Sequence, residues 1–321
     1  MAEAYNTLNG LIQFNNKNLA DIKVSDILNR APLLAMIYAK AASAGTQHQY
    51  LKQTVDSIGS FRAALAGATG TASSDELITI TLKILDGSFD TDVALADAYK
   101  GGRDAWLQME LVRKVQGLMF QLEKQCVYGT KTRTGGTALA SAAGFTGLAN
   151  SADLDAVADD MVIAAITAGS SADSQTSVWM IRTADDGVSV VLGNDGNFVV
   201  EDNPTIIQKV VNPGTDNTMY PALFVPVTGY SGLQLGSKYD AARICNIESA
   251  LTDDDIYAGL SLFKAGMPPN VIAMSRKAMK LLRQSRTAVN VTGAAAPFVT
   301  EIEGIPVVVT DAISDTEPVI G

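Results

Sequence analysis

The stretch DVALADAYKGGRDAWLQMELVRKVQGLMFQLEKQCVY, from Asp92 to Tyr128, decides how the rest of the chain is read. No proline interrupts it. Apolar or small residues recur at Leu95, Ala98, Tyr99, Gly102, Trp106, Met109, Val112, Val115, Met119, Leu122 and Cys126. Their steps of one, three or four residues line up one face of a helix. The charged residues Asp97, Arg103, Asp104, Glu110, Arg113, Lys114 and Lys124 fall mostly on the other side. Such a helix would be roughly 50 Å long, longer than most globular helices. It lacks a sustained heptad and reads as a structural spine. Trp106, Met109 and Val112 are its expected core, facing a sheet. Gly101-Gly102 lies a third of the way along, and each glycine costs about 1 kcal/mol relative to alanine. A bend or a close backbone contact is expected there.

Upstream, ELITITLKILDGSFD places Ile78, Ile80, Leu82 and Ile84 in alternation with Leu77, Thr79, Thr81 and Lys83, a strand of period two. Before it comes TQHQYLKQTVDSIGSFRAALAG, Thr46 to Gly67, and between them a soft tip, Gly67 to Ser74. Two extended segments around such a tip make a long hairpin-like loop that cannot bury both faces against itself. It either folds back onto the body or packs on a neighbouring subunit. Residues 1–24 read as an extended arm, SDILNR as a short capped helix before Pro32, and residues 33–44 as apolar and of undetermined type.

Downstream, residues 129–152 are rich in Gly, Thr, Ala and Ser and read as an ordered loop or linker. Asp153 to Ala168 has a helical period. Strands are expected at SVWMIR, VSVVLG, FVVED, ALFVPVTGY and DAARICNI, with turn signals Asp-Asp-Gly, Asn-Asp-Gly and Asn-Pro-Gly between them. Thr252 caps a helix opening on Asp253-Asp254-Asp255 and ending at Met267-Pro268-Pro269. NVIAMS reads as a strand, Ser275 to Arg286 as a basic helix, EIEGIPVVVTDAI as two strands around Gly304, and EPVIG as a last short strand. Helices and strands interleave without regular alternation, so the class is α+β with mixed sheets.

The 321 residues carry a net charge of −10, which argues against a dedicated nucleic-acid binder. The charge is uneven. Residues 1–140 hold 14 Lys and Arg against 13 Asp and Glu; residues 141–321 hold 10 against 21. Cys126 and Cys245 lack metal spacing and read as reduced thiols. The first residues have no basic segment ahead of an apolar core, so no secretory leader is expected. No apolar run reaches the length of a membrane span.

His48 is the only histidine, which excludes Ser-His-Asp, Cys-His and multi-histidine metal sites by count. It reads as structural. There is no phosphate-cradling glycine loop and no dinucleotide fingerprint. Asp253 to Asp255 point different ways on a helix and read as a cap, and GNDGN at 193–197 as a hairpin turn. Lys277, Lys280, Arg283 and Arg286 share a helical face that reads as solvated. No catalytic, cofactor-binding or metal-ligating residues are assigned, and no cofactor is expected.

Taken in order, AGTQHQYLKQTVDSIGSFRAALAG, the spine stretch, SVWMIRTADDGVSVVLG, YDAARICNIE and EIEGIPVVVTDAI resemble a tailed-bacteriophage major capsid protein of the Hong Kong 97 fold. The resemblance spans nearly the whole chain and rests on the order arm, loop, spine rather than on one motif. It implies an N-terminal arm at 1–45, an extended β-hairpin loop at 46–91, a peripheral domain with the spine helix at 92–154, and an axial domain plus the remaining peripheral strands at 155–321. It further implies pentamers and hexamers of a shell enclosing double-stranded DNA, made in the host bacterial cytoplasm. Portal and scaffold or decoration proteins would be partners; no membrane and no sequence-specific DNA contact are expected. Phe61, Arg62, Leu65, Leu77, Ile78 and Ile80 become the expected intersubunit contacts. GIPVVV follows YDAARICNIE here, the reverse of the family's type member, so altered connectivity in the C-terminal half is expected. No lysine lies between Gln53 and Leu82, so no covalent cross-link through the loop tip is expected. An encapsulated-nanocompartment shell, a phage tail or decoration protein, and an enzyme using Asp253 to Asp255 are the competing readings.

Overall fold

Apolar alternation and glycine or proline punctuation cut the chain into short strands around one long helix. The computed structural model describes residues 5–6, 29–55, 57–70, 72–99, 102–134, 136–165, 173–200, 204–211, 218–290 and 294–321. In chain order come β1 (Tyr5–Asn6), β2 (Tyr38–Ala41), β3 (Gln47–Val55), β4 (Ser74–Thr81), β5 (Lys83–Asp86) and β6 (Phe89–Asp92). Helix α1 (Val93–Ala98) and the spine α2 (Arg103–Tyr128) follow. Next are β7 (Val162–Ala164), β8 (Thr176–Ile181), β9 (Val188–Leu192), β10 (Asn197–Val200), β11 (Thr205–Val211), β12 (Thr218–Val225), β13 (Val227–Leu235) and β14 (Ala241–Ile247). The chain closes with α3 (Asp253–Leu260), β15 (Val271–Met274), α4 (Arg276–Val289), β16 (Glu301–Ile302) and β17 (Ile305–Val309). The arm expected at 1–45 and the helix SDILNR lie largely outside the described residues.

Three sheets and one hairpin result. The first runs β1-β10-β13-β9-β2, with β5 also on β13; β2 is parallel to β9 and the other pairings are antiparallel. The second is β11-β12-β6, antiparallel throughout. The third runs β16-β17-β15-β8-β14-β7, with β17 parallel to β15 and β7 parallel to β14. Its central strands are buried on both faces: β8, β14 and β15 expose nothing, and their sequences are near-continuous apolar runs. YDAARICNIE and GIPVVV thus share one sheet. Hairpin β3-β4 stands apart.

Several expectations change. Asp153 to Ala165 forms turns and the short strand β7 instead of a helix, because Val162 to Ala164 pairs with β14 in a register that propensity cannot anticipate. Helix α3 stops at Leu260, well before Pro268-Pro269; Ser261 caps it through backbone bonds to Tyr257 and Gly259. GNDGN forms a single 3-10 turn joining β9 to β10, which do not pair with each other, so it is no hairpin turn. β5 and β6 belong to the body sheets, so the projecting loop ends near Leu82 and not at residue 91.

The spine is broken between Ala98 and Arg103. Gly102 sits at φ 85°, a left-handed conformation that suits glycine, and it caps α2. Arg103 bridges the break to Asp97 with bonds of 2.6 and 2.7 Å. At 26 residues, α2 is about 39 Å long. Its buried row is Leu107, Leu111, Val115, Leu118, Met119, Leu122 and Cys126. The expected core residues Trp106, Met109 and Val112 are only half-buried: Trp106 and Val112 stand next to members of that row, and Met109 lies midway between Leu107 and Leu111. The same face matches the buried row from Val115 on, with Met119, Leu122 and Cys126, so only the first turns after the break depart from it. Trp106 packs at the core's margin, its indole N–H donating to Thr91 Oγ1 at 3.1 Å.

The last turns of α2 carry buried polar groups that fasten distant segments. Glu123 is wholly buried. Its carboxylate accepts from the Leu34 backbone N–H at 3.0 Å and from the Thr310 hydroxyl. Tyr128 donates to Glu317 and accepts from the Ser314 N–H at 2.7 Å. Glu317 also pairs with Arg243 on β14 at 2.8 Å, both side chains at most 2% exposed, and accepts from Ser177 on β8. Breaking one side of such a buried pair costs about 3–5 kcal/mol.

Burial raises the Glu123 carboxyl to about 7, with Asp311 pushing the same way against the hydrogen bonds from Thr310, Leu34 and Leu33. Between the ordinary glutamate value of 4.5 and 7, the folded chain holds a proton that the unfolded chain has lost. This contribution to stability is therefore complete below pH 4.5 and lost as pH rises through 7. The unfolding free energy of the parent, minus that of Glu123→Gln, should fall by about 2–3 kcal/mol from pH 5 to pH 8. Urea melts at the two pH values measure it, and a flat difference would contradict the assignment.

Candidate assembly interface

Register decides which side chains of the hairpin face the body. His48 stands opposite Ile80, and Tyr50 opposite Ile78. These four share one side of the ribbon. His48 is buried, accepting at Nδ1 from the Ser43 N–H at 3.1 Å and meeting Gln234 Oε1 through Nε2 at 2.9 Å. The Leu235 N–H reaches the Tyr50 hydroxyl at 3.4 Å, and Lys52 pairs with Asp153. Gly232 on β13 leaves room for this docking: a Cβ there would sit 2.6 Å from Leu82 and 3.4 Å from Ile80.

The other side and the tip are largely exposed among the described residues. Leu51 and Leu77 are opposed on the outer face, 65% and 60% exposed. At the tip, Phe61 and Leu65 stand fully in solvent, and Ile58 is 67% exposed. Leu65 closes a turn at φ 66°, a conformation costly for leucine, with the Ala66 N–H bonded to the Ala63 carbonyl at 3.1 Å. Arg62 bonds the Ala66 carbonyl at 3.3 Å. The predicted contact residues therefore separate. Phe61, Arg62, Leu65 and Leu77 are exposed, whereas Ile78 and Ile80 are half-buried against their own chain. Strand alternation alone carried this signal, since Leu77 and Ile78 are consecutive and must face opposite ways. Leu51 carries no such signal in the sequence because TQHQYLKQTVDS shows no apolar alternation.

The chemistry-bearing side chains have structural roles. Thr252 and Asp255 form a capping box and Asp253 pairs with Arg286. No cluster of three or more His, Cys, Asp or Glu that could hold a metal occurs among the described residues. Both cysteines are buried thiols; burial pushes Cys126 well up and Cys245 to about 11. No described helix is long and apolar enough to cross a membrane.

A family model described as major capsid protein GP7 matches residues 16–321. No curated protein matches the chain. A structure of bacteriophage Epsilon15 superposes with a TM-score of 0.59 at 18% identity, covering 88% of this chain and 88% of that one. The bacteriophage JBD30 capsid gives 0.48 at 10% identity over 87% and 89%. The encapsulin complex of Synechococcus elongatus PCC 7942 gives 0.40 at 10% identity over 67% and 87%. The Epsilon15 likeness shows the fold, an α+β arrangement of the Hong Kong 97 kind; the others are too distant to add to it.

The tip geometry sets an order of proteolysis. Arg62 is the sole basic residue between Gln53 and Leu82 and is exposed. Brief trypsin treatment of the free subunit should cut first after Arg62, giving two fragments that mass spectrometry identifies. First cleavage within α2 instead would contradict the exposed placement of the tip.

Proposed function

The chain belongs to the major capsid protein GP7 family, and from that premise we propose that it assembles into a closed icosahedral shell around double-stranded DNA, with its hairpin tip laid on a neighbouring subunit. The capsid role is structural, the capsid is built of many copies of this chain, and the place of action is the virion. The observation that carries the finer reading is the hairpin's division into an anchored base and an uncovered end. Phe61, Leu65, Leu51 and Leu77 would each gain roughly 1.5–3 kcal/mol on full burial, part of it offset by ordering costs. Each contact is modest, but repetition over a shell multiplies it.

Pentamers and hexamers are the units of this reading. The spine with the first two sheets forms the peripheral domain, and the third sheet with α3 and α4 forms the axial one. Residues 155–321 feed both, since β8 and β9 are adjacent in sequence and lie in different sheets. The projecting loop is 46–82. A portal, and scaffold or decoration proteins, complete the particle, which is made in the host bacterial cytoplasm. A net charge of −10 supports enclosing DNA without gripping it, because tight binding needs many phosphate-facing cations.

Deleting Gly59 to Asp75 removes a segment whose described residues are all exposed and should leave the subunit's melting nearly unchanged, within about 0.5 kcal/mol. It should abolish closed shells, because each subunit loses roughly several hundred Å² of contact. Sedimentation velocity beside the parent reads the outcome. Shell-sized particles from the deletion variant would overturn the assignment of this loop to assembly.

A further inference from the structure

Residues 141–321 hold 10 Lys and Arg among 21 carboxylates, and five of the ten lie in the 14 residues of α4. The helix itself contains no acid. Only part of this charge is used internally. Arg286 pairs with Asp253, its Nε 2.9 Å from the carboxylate. Lys277 donates to the Ser174 carbonyl. Arg276 and Lys280 are exposed and make no ion pair or hydrogen bond among the described residues.

These two cations rim a groove of about 290 Å³ between α4 and the segment 294–300. Arg276, Met279, Lys280, Arg283 and Thr287 line one side and Phe298 the other. The far wall is pinned: Arg283 donates to the Ala296 carbonyl at 2.9 Å, and the Ala296 N–H donates to Thr287 Oγ1 at 3.0 Å. No carboxylate lines the groove. Met279 is buried at its floor and Phe298 is 50% exposed at its lip.

We propose that this groove docks an acidic peptide segment of a separate protein, one that sets an apolar side chain between two or more carboxylates. Arg276, Lys280 and Arg283 stand at i, i+4 and i+7, one stripe about 10 Å long, which matches carboxylates spaced along an extended or one-turn segment. The apolar side chain covers Met279 against Phe298, the arrangement of an aromatic lip beside charged rim residues. A DNA duplex is too wide to enter between a helix and a single extended segment, and phosphates on the rim would leave Phe298 and Met279 uncovered. The hairpin tip of a second copy has the wrong charge, since Ser57 to Gly70 contains Arg62 and no carboxylate. A shell would present one groove per copy, so a weak single-site affinity suffices for a multivalent partner.

The test is fluorescence anisotropy on the purified full chain with three labelled probes. They are the peptide Glu-Asp-Leu-Phe-Glu-Asp, its counterpart with lysine in place of every acid, and a short DNA duplex. The acidic peptide should bind tightest and weaken as salt is raised. Arg276→Glu with Lys280→Glu should weaken it at least about tenfold, and Phe298→Ala several-fold, with melting unchanged. The milder Lys280→Gln should give a smaller loss in the same direction and guards against misfolding of the double variant. Shell formation by all variants should match the parent, which separates this groove from the loop contact. The proposal is overturned if the basic peptide or the duplex binds as well as the acidic one, or if the variants leave binding intact. It is also overturned if the double variant loses shells while still folding, which would make the groove a contact between copies.

Discussion

The structure hangs on how the C-terminal end of the spine helix is fastened. Within two turns, α2 carries Glu123 and Tyr128, both fully buried and both hydrogen-bonded to segments far away in sequence. Glu123 holds the segment after Pro32 and the end of β17. Tyr128 meets Glu317, which is also the ionic partner of Arg243 in the middle of the third sheet. A buried carboxylate without partners would cost several kcal/mol, so these segments can leave their places only together. Arg243 also lies over the Trp179 ring at 4.8 Å, which ties β8 into the same cluster. The end of the helix thus ties the segment before β2, the end of β17 and the middle of the third sheet to one another.

The ribbon illustrates a division of labour. An isolated hairpin is marginal in water, and this one is supported at its base by His48, Tyr50 and Lys52. Beyond Gln53 it relies on its own ladder, and its apolar side chains Phe61, Leu65 and Leu77 are exposed among the described residues. Contiguous exposed apolar surface of this kind marks an interaction site. The sole histidine, which in another setting would invite a catalytic reading, serves here as a hydrogen-bonded anchor.

Much of this was legible in the sequence where local rules suffice. A disturbance of the helix is legible at Gly102, a cap at Thr252, and the strands of the buried sheet in the continuous apolar runs VWMI, ARICNI and VIAM. What failed depended on partners distant in the chain. β2 and β7 are short, pair in parallel with strands more than 70 residues away, and carry no alternation of their own. The helix face departs from its period only in the first turns after the break, Trp106 to Val112, while Val115, Met119, Leu122 and Cys126 are buried as the period implies. The polar cluster was invisible because Glu123, Arg243 and Glu317 lie far apart in sequence and share no motif until the fold brings them together. The contact set on the loop mixed two faces, although period-two geometry separates Leu77 from Ile78.

The central claim is that the free end of the hairpin is completed by another copy of the chain. A cryo-EM map of the assembled particle at side-chain resolution tests this most directly. The account predicts density for Phe61 and Leu65 packed within van der Waals distance of a neighbouring subunit, with Ile78 and Ile80 still against their own β13. Phe61 and Leu65 facing solvent in the closed particle would contradict it.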